Sequence, residues 1–164
     1  MRVIIREAVQ SDELFLKQWL MQPDVLRWFP MGDLKEVEDS ARFWISFSAL
    51  GCCYIAEKDG VPCGSVLLNL TPYAKIRHQC LLSIIVSEQF RNQKIGSLLL
   101  QHAEHEASER FGIKLLHLEV YEGNPARRLY ERMGYVAYGE HKKFIREQEH
   151  YQTKIMMQKW LNRE

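Results

Sequence analysis

The run Leu81-Leu82-Ser83-Ile84-Ile85-Val86 constrains this chain more than any other stretch. It is far too short for a membrane span, which needs about 20 apolar residues. It is also too continuously apolar for a strand with one wet face, and its pattern is that of a central strand covered on both sides. A polar loop follows at once, and then a helical pattern with Gly96 in its first turn. A strand covered on both faces needs helices above and below it, so the chain is expected to fold as a layered α/β (α+β) domain.

The rest of the sequence supplies those layers. Val3 to Ala8 is a short β-rich opening. A helix start at Ser11-Asp12-Glu13 leads into an apolar face of Leu14, Phe15, Trp19 and Leu20, broken by Gln22-Pro23-Asp24. The aromatic loop Arg27-Trp28-Phe29-Pro30-Met31-Gly32 precedes a second helix over about 34–50. Strands over 52–58 and 62–70 flank Asp59-Gly60, a tight-turn signal, and read as a hairpin. After the central strand, 76–86, come a helix over 94–111, a break at Gly112 and a strand over 113–120. A helix over 124–133 with Gly134 as its left-handed cap precedes strands over 135–145 and 150–160. No repeat, low-complexity tract or linker interrupts the 164 residues, so 1–164 reads as a single domain.

Charge and cysteine content narrow the partners. With 22 basic and 21 acidic residues the formal charge is +1, and nucleic acid is not expected as the main partner. Cys52, Cys53, Cys63 and Cys80 form no C-x-x-C pair, and adjacent Cys52 and Cys53 point to opposite faces of a strand. Reduced thiols and a cytoplasmic location are therefore expected, with no membrane partner. The mixed charges His102, Glu104, His105, Glu106 and Glu109 read as a solvated helical face rather than a metal site. The basic stretch His141-Lys142-Lys143 reads as a strand edge blunted by charge.

Two stretches carry chemistry. In the first, Arg91-Asn92-Gln93-Lys94-Ile95-Gly96-Ser97 joins the central strand to a helix start, whose unpaired N–H groups and positive dipole end suit a phosphate. In the second, Asn124-Pro125 is a helix entry, and Ala126, Leu129, Tyr130 and Met133 share one face. On spacing alone Tyr130 reads first as a core aromatic.

Together the two stretches resemble the GNAT superfamily of N-acetyltransferases. The family pattern Q/R-x-x-G-x-G/A, which holds the pyrophosphate of coenzyme A, is matched by Arg91-Asn92-Gln93-Lys94-Ile95-Gly96. A second family segment is matched by Leu118-Glu119-Val120, Asn124, Ala126 and Leu129-Tyr130-Glu131-Arg132-Met133-Gly134-Tyr135. The resemblance spans nearly the whole chain and is similar to ribosomal-protein N-acetyltransferases around Glu119 and the Arg27–Pro30 loop. Two departures stand out. Lys94 replaces the usual first glycine. Asn124 lies six residues before Tyr130 instead of seven, so that either the loop is shorter or Gly123 takes the asparagine's place.

The resemblance implies a central mixed, largely antiparallel sheet of about seven strands flanked by about four helices. It implies acetyl-CoA as co-substrate, held by the backbone of Ile84, Ile85 and Val86, by Arg91 to Ser97, and by Asn124 and Tyr130. By the same resemblance Tyr130 protonates the leaving thiolate, a backbone N–H around Ile85 holds the oxyanion, Glu119 is the candidate base, and Trp28 and Phe29 wall the acceptor site. Ser83 stands where many relatives carry a glutamate. The acceptor implied is a primary amine of a peptide N-terminus or small molecule; a non-catalytic acyl-CoA-binding module is the alternative. A homodimer is compatible with the family.

Overall fold

The computed structural model describes residues 2–161. Strand β1 (Val3–Glu7) leads through a 3₁₀ turn to helix α1 (Glu13–Leu20), one-turn α2 (Pro23–Leu26) and α3 (Leu34–Ser46). The hairpin β2 (Cys53–Lys58) and β3 (Val61–Asn69) is followed by β4 (Gln79–Val86), α4 (Ile95–Glu109), β5 (Leu115–Tyr121), α5 (Ala126–Arg132), β6 (Val136–Glu147) and β7 (His150–Trp160). The expected order of elements holds. The additional helix α2 lies at the Gln22-Pro23-Asp24 break, where Pro23 ends one helix and opens another because its fixed φ suits a first turn.

The seven strands form one sheet in the order β1-β2-β3-β4-β5-β7-β6. All pairings are antiparallel except β4 with β5. Asp59 and Gly60 both take positive φ, 50° and 83°, as a two-residue hairpin turn of matching twist requires. Two cores fill the layers. One lies under α4 and α5 and takes Tyr54, Val66, Leu82, Leu99, Leu116, Leu118, Ile155 and Met157. The other lies under α1 and α3 and takes Leu16, Trp19, Val37, Ile45, Ile55, Leu67 and Ile85. Cys52 belongs to the first core and Cys53 to the second, one on each face of the sheet.

The site is created where the parallel pairing fails. Strands β4 and β5 pair only at Gln79–Leu115, Cys80–Leu116 and Leu81–His117, and then diverge. The apolar run that reads as covered on both faces is therefore only partly so. Leu82 and Ile85 are buried, whereas Leu81, Ser83, Ile84 and Val86 are half-buried, because the strand beside them has moved away. No helix among the described residues is long and apolar enough to cross a membrane.

Candidate active site

The opening between β4 and β5 is a cavity of about 630 Å³. Its walls include Leu81 to Val86 from β4, Leu118, Glu119 and Tyr121 from β5, the start of α4, and the face of α5 bearing Leu129 and Tyr130. Hydrogen-bond parity shows which β4 groups face it. Ser87 donates its N–H to Cys63 O on β3 at 2.9 Å, and His78 O accepts from Lys114 N–H on the β5 side at 2.7 Å. Backbone groups of a strand alternate sides, so the even-numbered residues of β4 point toward β5. Beyond Leu81 no β5 partner meets them, and the N–H and C=O groups of Ile84 and Val86 face the opening. Ile85 faces β3, opposite Ser65, and its side chain is buried in the α1–α3 core.

Helix α4 begins at the same opening. Its first intrahelical bond runs from Leu98 N–H to Lys94 O at 3.1 Å. No side chain caps the helix, which leaves the N–H groups of Ile95, Gly96 and Ser97 without helical partners. Lys94 sits at the N-cap with φ 66°, and Asn92 has φ 60°. The chain thus keeps at Lys94 the left-handed turn that glycine provides in the family pattern, at a cost of about 1–2 kcal/mol for a residue with a Cβ. Gly96 also meets a packing demand: a Cβ there would come within 2.8 Å of Leu129 Cδ2. The absent side chain lets the first turn of α4 rest on α5.

Across the cavity, Tyr130 is buried, with 7% of its surface exposed. Among the described residues, the buried side-chain oxygens left without a partner belong to Tyr54 and Tyr135. The Tyr130 hydroxyl is not one of these, and Tyr130 lines the cavity. Burial pushes its phenol well above the ordinary tyrosine value, so it stays protonated at neutral pH. Glu119 faces the cavity half-exposed, and Lys154 Nζ lies 3.0 Å from its Oε2. Lys154 itself is mostly buried, with its ammonium 3.8 Å over the Phe144 ring. Phe144 comes from an irregular stretch of β6, where His141 pairs with Lys154 and Ile145 with Gln152. Two extra residues bulge there, Lys143 adopts φ 58°, and Phe144 is turned toward Tyr121.

The structure gathers most of the sequence-derived residues around this one cavity. Trp28, Phe29, Ile84, Ile85, Val86, Arg91, Asn92, Lys94, Ile95, Gly96, Ser97, Glu119, Asn124 and Tyr130 all line it. Gln93 does not: it accepts a hydrogen bond from Lys58 Nζ and donates to Gln89 O at 3.2 Å, tying the loop to β2. Asn124 is engaged locally, accepting from Ala126 N–H at 3.0 Å as it starts α5. Gly123 before it takes φ 89°. Arg91 donates to Asp24 O at 2.7 Å and so fastens the loop before α4 to α2. Sequence reasoning missed Tyr121, Arg128, Arg132 and Phe144, which also line the cavity, and Lys154 behind Glu119. The two arginines were detectable by their spacing of four on α5, whereas Phe144 depends on the bulge.

The acetyltransferase (GNAT) family model matches residues 15–135. The chain belongs to that family. Among solved structures, a protein from Salmonella typhimurium determined with its cofactor acetyl-CoA superposes with TM-score 0.82 at 17% identity, covering 99% of this chain and 95% of that one. A ribosomal-protein-alanine N-acetyltransferase from Brucella melitensis gives TM-score 0.79 at 23% identity, with 96% and 99% covered. A ribosomal-protein alanine N-acetyltransferase from Escherichia coli gives 0.72 at 17% identity, with 99% and 96% covered. These likenesses establish the fold. Curated protein sequences yield no match.

Proposed function

We propose that this protein transfers the acetyl group of acetyl-CoA to the primary amine of a peptide N-terminus or small molecule. The observation that carries the reading is the juxtaposition of unpaired β4 backbone, an uncapped α4 N-terminus and the Tyr130 hydroxyl around one cavity. The pantetheine arm extends β4 as an added strand would, bonding to Ile84 and Val86. The pyrophosphate lies on the N–H groups of Ile95, Gly96 and Ser97. The Salmonella protein's acetyl-CoA supports this choice of cofactor.

The chemistry then follows from charge. A neutral amine attacks the thioester carbonyl, a C–N bond forms, and the C–S bond breaks as the tetrahedral intermediate collapses. The oxyanion is met by a backbone N–H of Ile84 or Val86. The departing thiolate has an ordinary pKa near 8.5, below that of the buried Tyr130 phenol. Tyr130 therefore acts first as a hydrogen-bond donor to the developing thiolate, which is finally protonated by the proton the amine loses. Glu119 is the carboxylate at hand to pass that proton on, directly or through water.

A non-catalytic acyl-CoA-binding module is the second reading, and the Glu119–Lys154 pair favours it, because the ammonium occupies a carboxylate oxygen that would otherwise meet the amine. Calorimetric titration with acetyl-CoA followed by thiol release with amine acceptors separates the two. Saturable binding with amine-dependent thiol release supports the enzyme, binding without release supports the module, and no binding at millimolar ligand removes both.

A further inference from the structure

Four cations line the cavity, Arg91, Lys94, Arg128 and Arg132, against one carboxylate, Glu119, which is already paired with Lys154. The loop pair and the helix pair are placed differently. Arg91 is committed to Asp24 O, and Lys94 is the left-handed residue that starts α4. Arg128 and Arg132 are exposed on α5, one turn apart on the same face, and neither has a carboxylate partner among the described residues. Their neighbour Arg127 does pair, with Glu131 at 2.9 Å, and that pair lines the adjoining hollow rather than the cavity itself. Like charges four residues apart destabilise a helix unless an anion lies between them.

Their position relative to α4 is fixed by Leu129. The Cδ2 atom of Leu129 lies where a Gly96 Cβ would be only 2.8 Å away, so α5 touches the first turn of α4 at this residue. Arg128 and Arg132 lie before and after Leu129 on α5 and line the same cavity as Ile95, Gly96 and Ser97 at the start of α4. A second hollow, of about 420 Å³, adjoins the cavity and shares Asn124, Pro125 and Arg128 with it. There is thus room for a bulky group beyond the α4 N-terminus, with Arg128 at the border of both spaces and Arg132 on the cavity side alone.

We propose that Arg128 and Arg132 form a second phosphate site, distinct from the α4 N-terminus, that binds the 3′-phosphomonoester of the coenzyme's ribose. This rests on the coenzyme reading above. A phosphomonoester carries about −1.5 to −2 charges at pH 7, more than either oxygen-bridged phosphate of a pyrophosphate diester, and two guanidiniums match it in charge and in forked geometry. The adenosine lies over the second hollow, beside Asn124 and Pro125.

The test compares coenzyme A with 3′-dephospho-coenzyme A by calorimetry, on the wild-type protein and on Arg128→Gln/Arg132→Gln. Both substitutions are at exposed positions, and a thermal melt of the variant checks folding. The wild type is expected to bind coenzyme A about tenfold or more tighter than the dephospho form, the scale of one charge-assisted contact. The variant is expected to lose that preference by weakening on coenzyme A alone. A wild type that binds both ligands equally overturns the site while leaving the coenzyme reading intact. A variant that weakens on both equally, keeping the preference, also overturns it and assigns the arginines to the pyrophosphate. A folded wild type that binds neither ligand defeats the coenzyme reading itself.

Discussion

In the half of the sheet built from β1 to β4, side chains are buried on both faces. Tyr54, Val66 and Leu82 enter one core while Ile55, Leu67 and Ile85 enter the other. In the half built from β5, β7 and β6, only one face is covered by helices. Leu116, Leu118, Ile155 and Met157 pack beneath α4 and α5, and no residue of these three strands joins the α1–α3 core. The opposite face carries His117, Glu119, Tyr121, Lys154 and Met156, and edge strand β6 is exposed along almost its whole length. The cavity sits at the join, where one half can no longer follow the other. A scaffold buried on two sides holds β4 rigid while the one-sided half leaves its backbone free for a ligand.

This contrast has measurable consequences, and the largest concerns stability. Leu67→Ala, at a site 1% exposed in the two-sided half, is expected to cost about 2–5 kcal/mol through lost burial and a cavity. Val136→Ala, at 67% exposure on β6, is expected to change stability by less than about 0.5 kcal/mol. Denaturant unfolding of both variants checks it, and equal losses would break the comparison.

Next comes Tyr130→Phe, which tests whether the join does chemistry. Turnover is expected to fall about 100-fold, the scale of one positioned hydrogen bond to charge developing in the transition state, with acetyl-CoA affinity kept within about twofold. Parallel loss of rate and affinity would make Tyr130 a packing residue like those of the other half.

The two-sided half also contains a buried charge with a pH signature. Burial of Asp12 raises its carboxyl pKa, but hydrogen bonds from the Arg6 guanidinium and Val9 N–H outweigh that effect and hold it below the usual carboxylate range. A depressed native pKa contributes stability that is complete above the unfolded value of about 3.9 and is lost as pH falls through the native one. Asp12→Asn is expected to cost roughly 2 kcal/mol at neutral pH and to flatten the acid limb of stability. An unchanged acid limb would locate the acid sensitivity elsewhere.

The smallest effect separates the two roles of Lys94. Lys94→Gly is expected to stabilise the fold by about 0.5–1 kcal/mol, because the left-handed strain is relieved and partly offset by a floppier unfolded chain. It should also weaken coenzyme binding, which Lys94→Ala should do without the gain in stability. A destabilised Lys94→Gly would mean that the side chain packs usefully.

The order of elements was legible because it is written in local periodicity. Asp59-Gly60 has the turn chemistry of a hairpin, and the spacing of Leu129, Tyr130 and Met133 is that of one helical face. The place of Gln93 outside the cavity lining was not legible, because a side chain's partner across space, here Lys58, leaves no local trace. The packing demand at Gly96 was hidden for a similar reason, since only the folded chain shows that Leu129 occupies its side-chain space. Phe144 and Lys154 were missed because their approach to Glu119 depends on a two-residue bulge and a strand register, both set by pairing between distant segments.

By itself, then, the sequence determined which segments are strands and helices, the family, and the two stretches that meet around the cavity, since all of these follow from residue type and spacing along the chain. Tertiary structure alone decided where β4 and β5 part, which backbone groups of Ile84 and Val86 are left unpaired, and that Glu119 stands against Lys154. Those features depend on how far two strands of a twisted sheet remain in hydrogen-bond range, a distance that no local pattern of residues encodes.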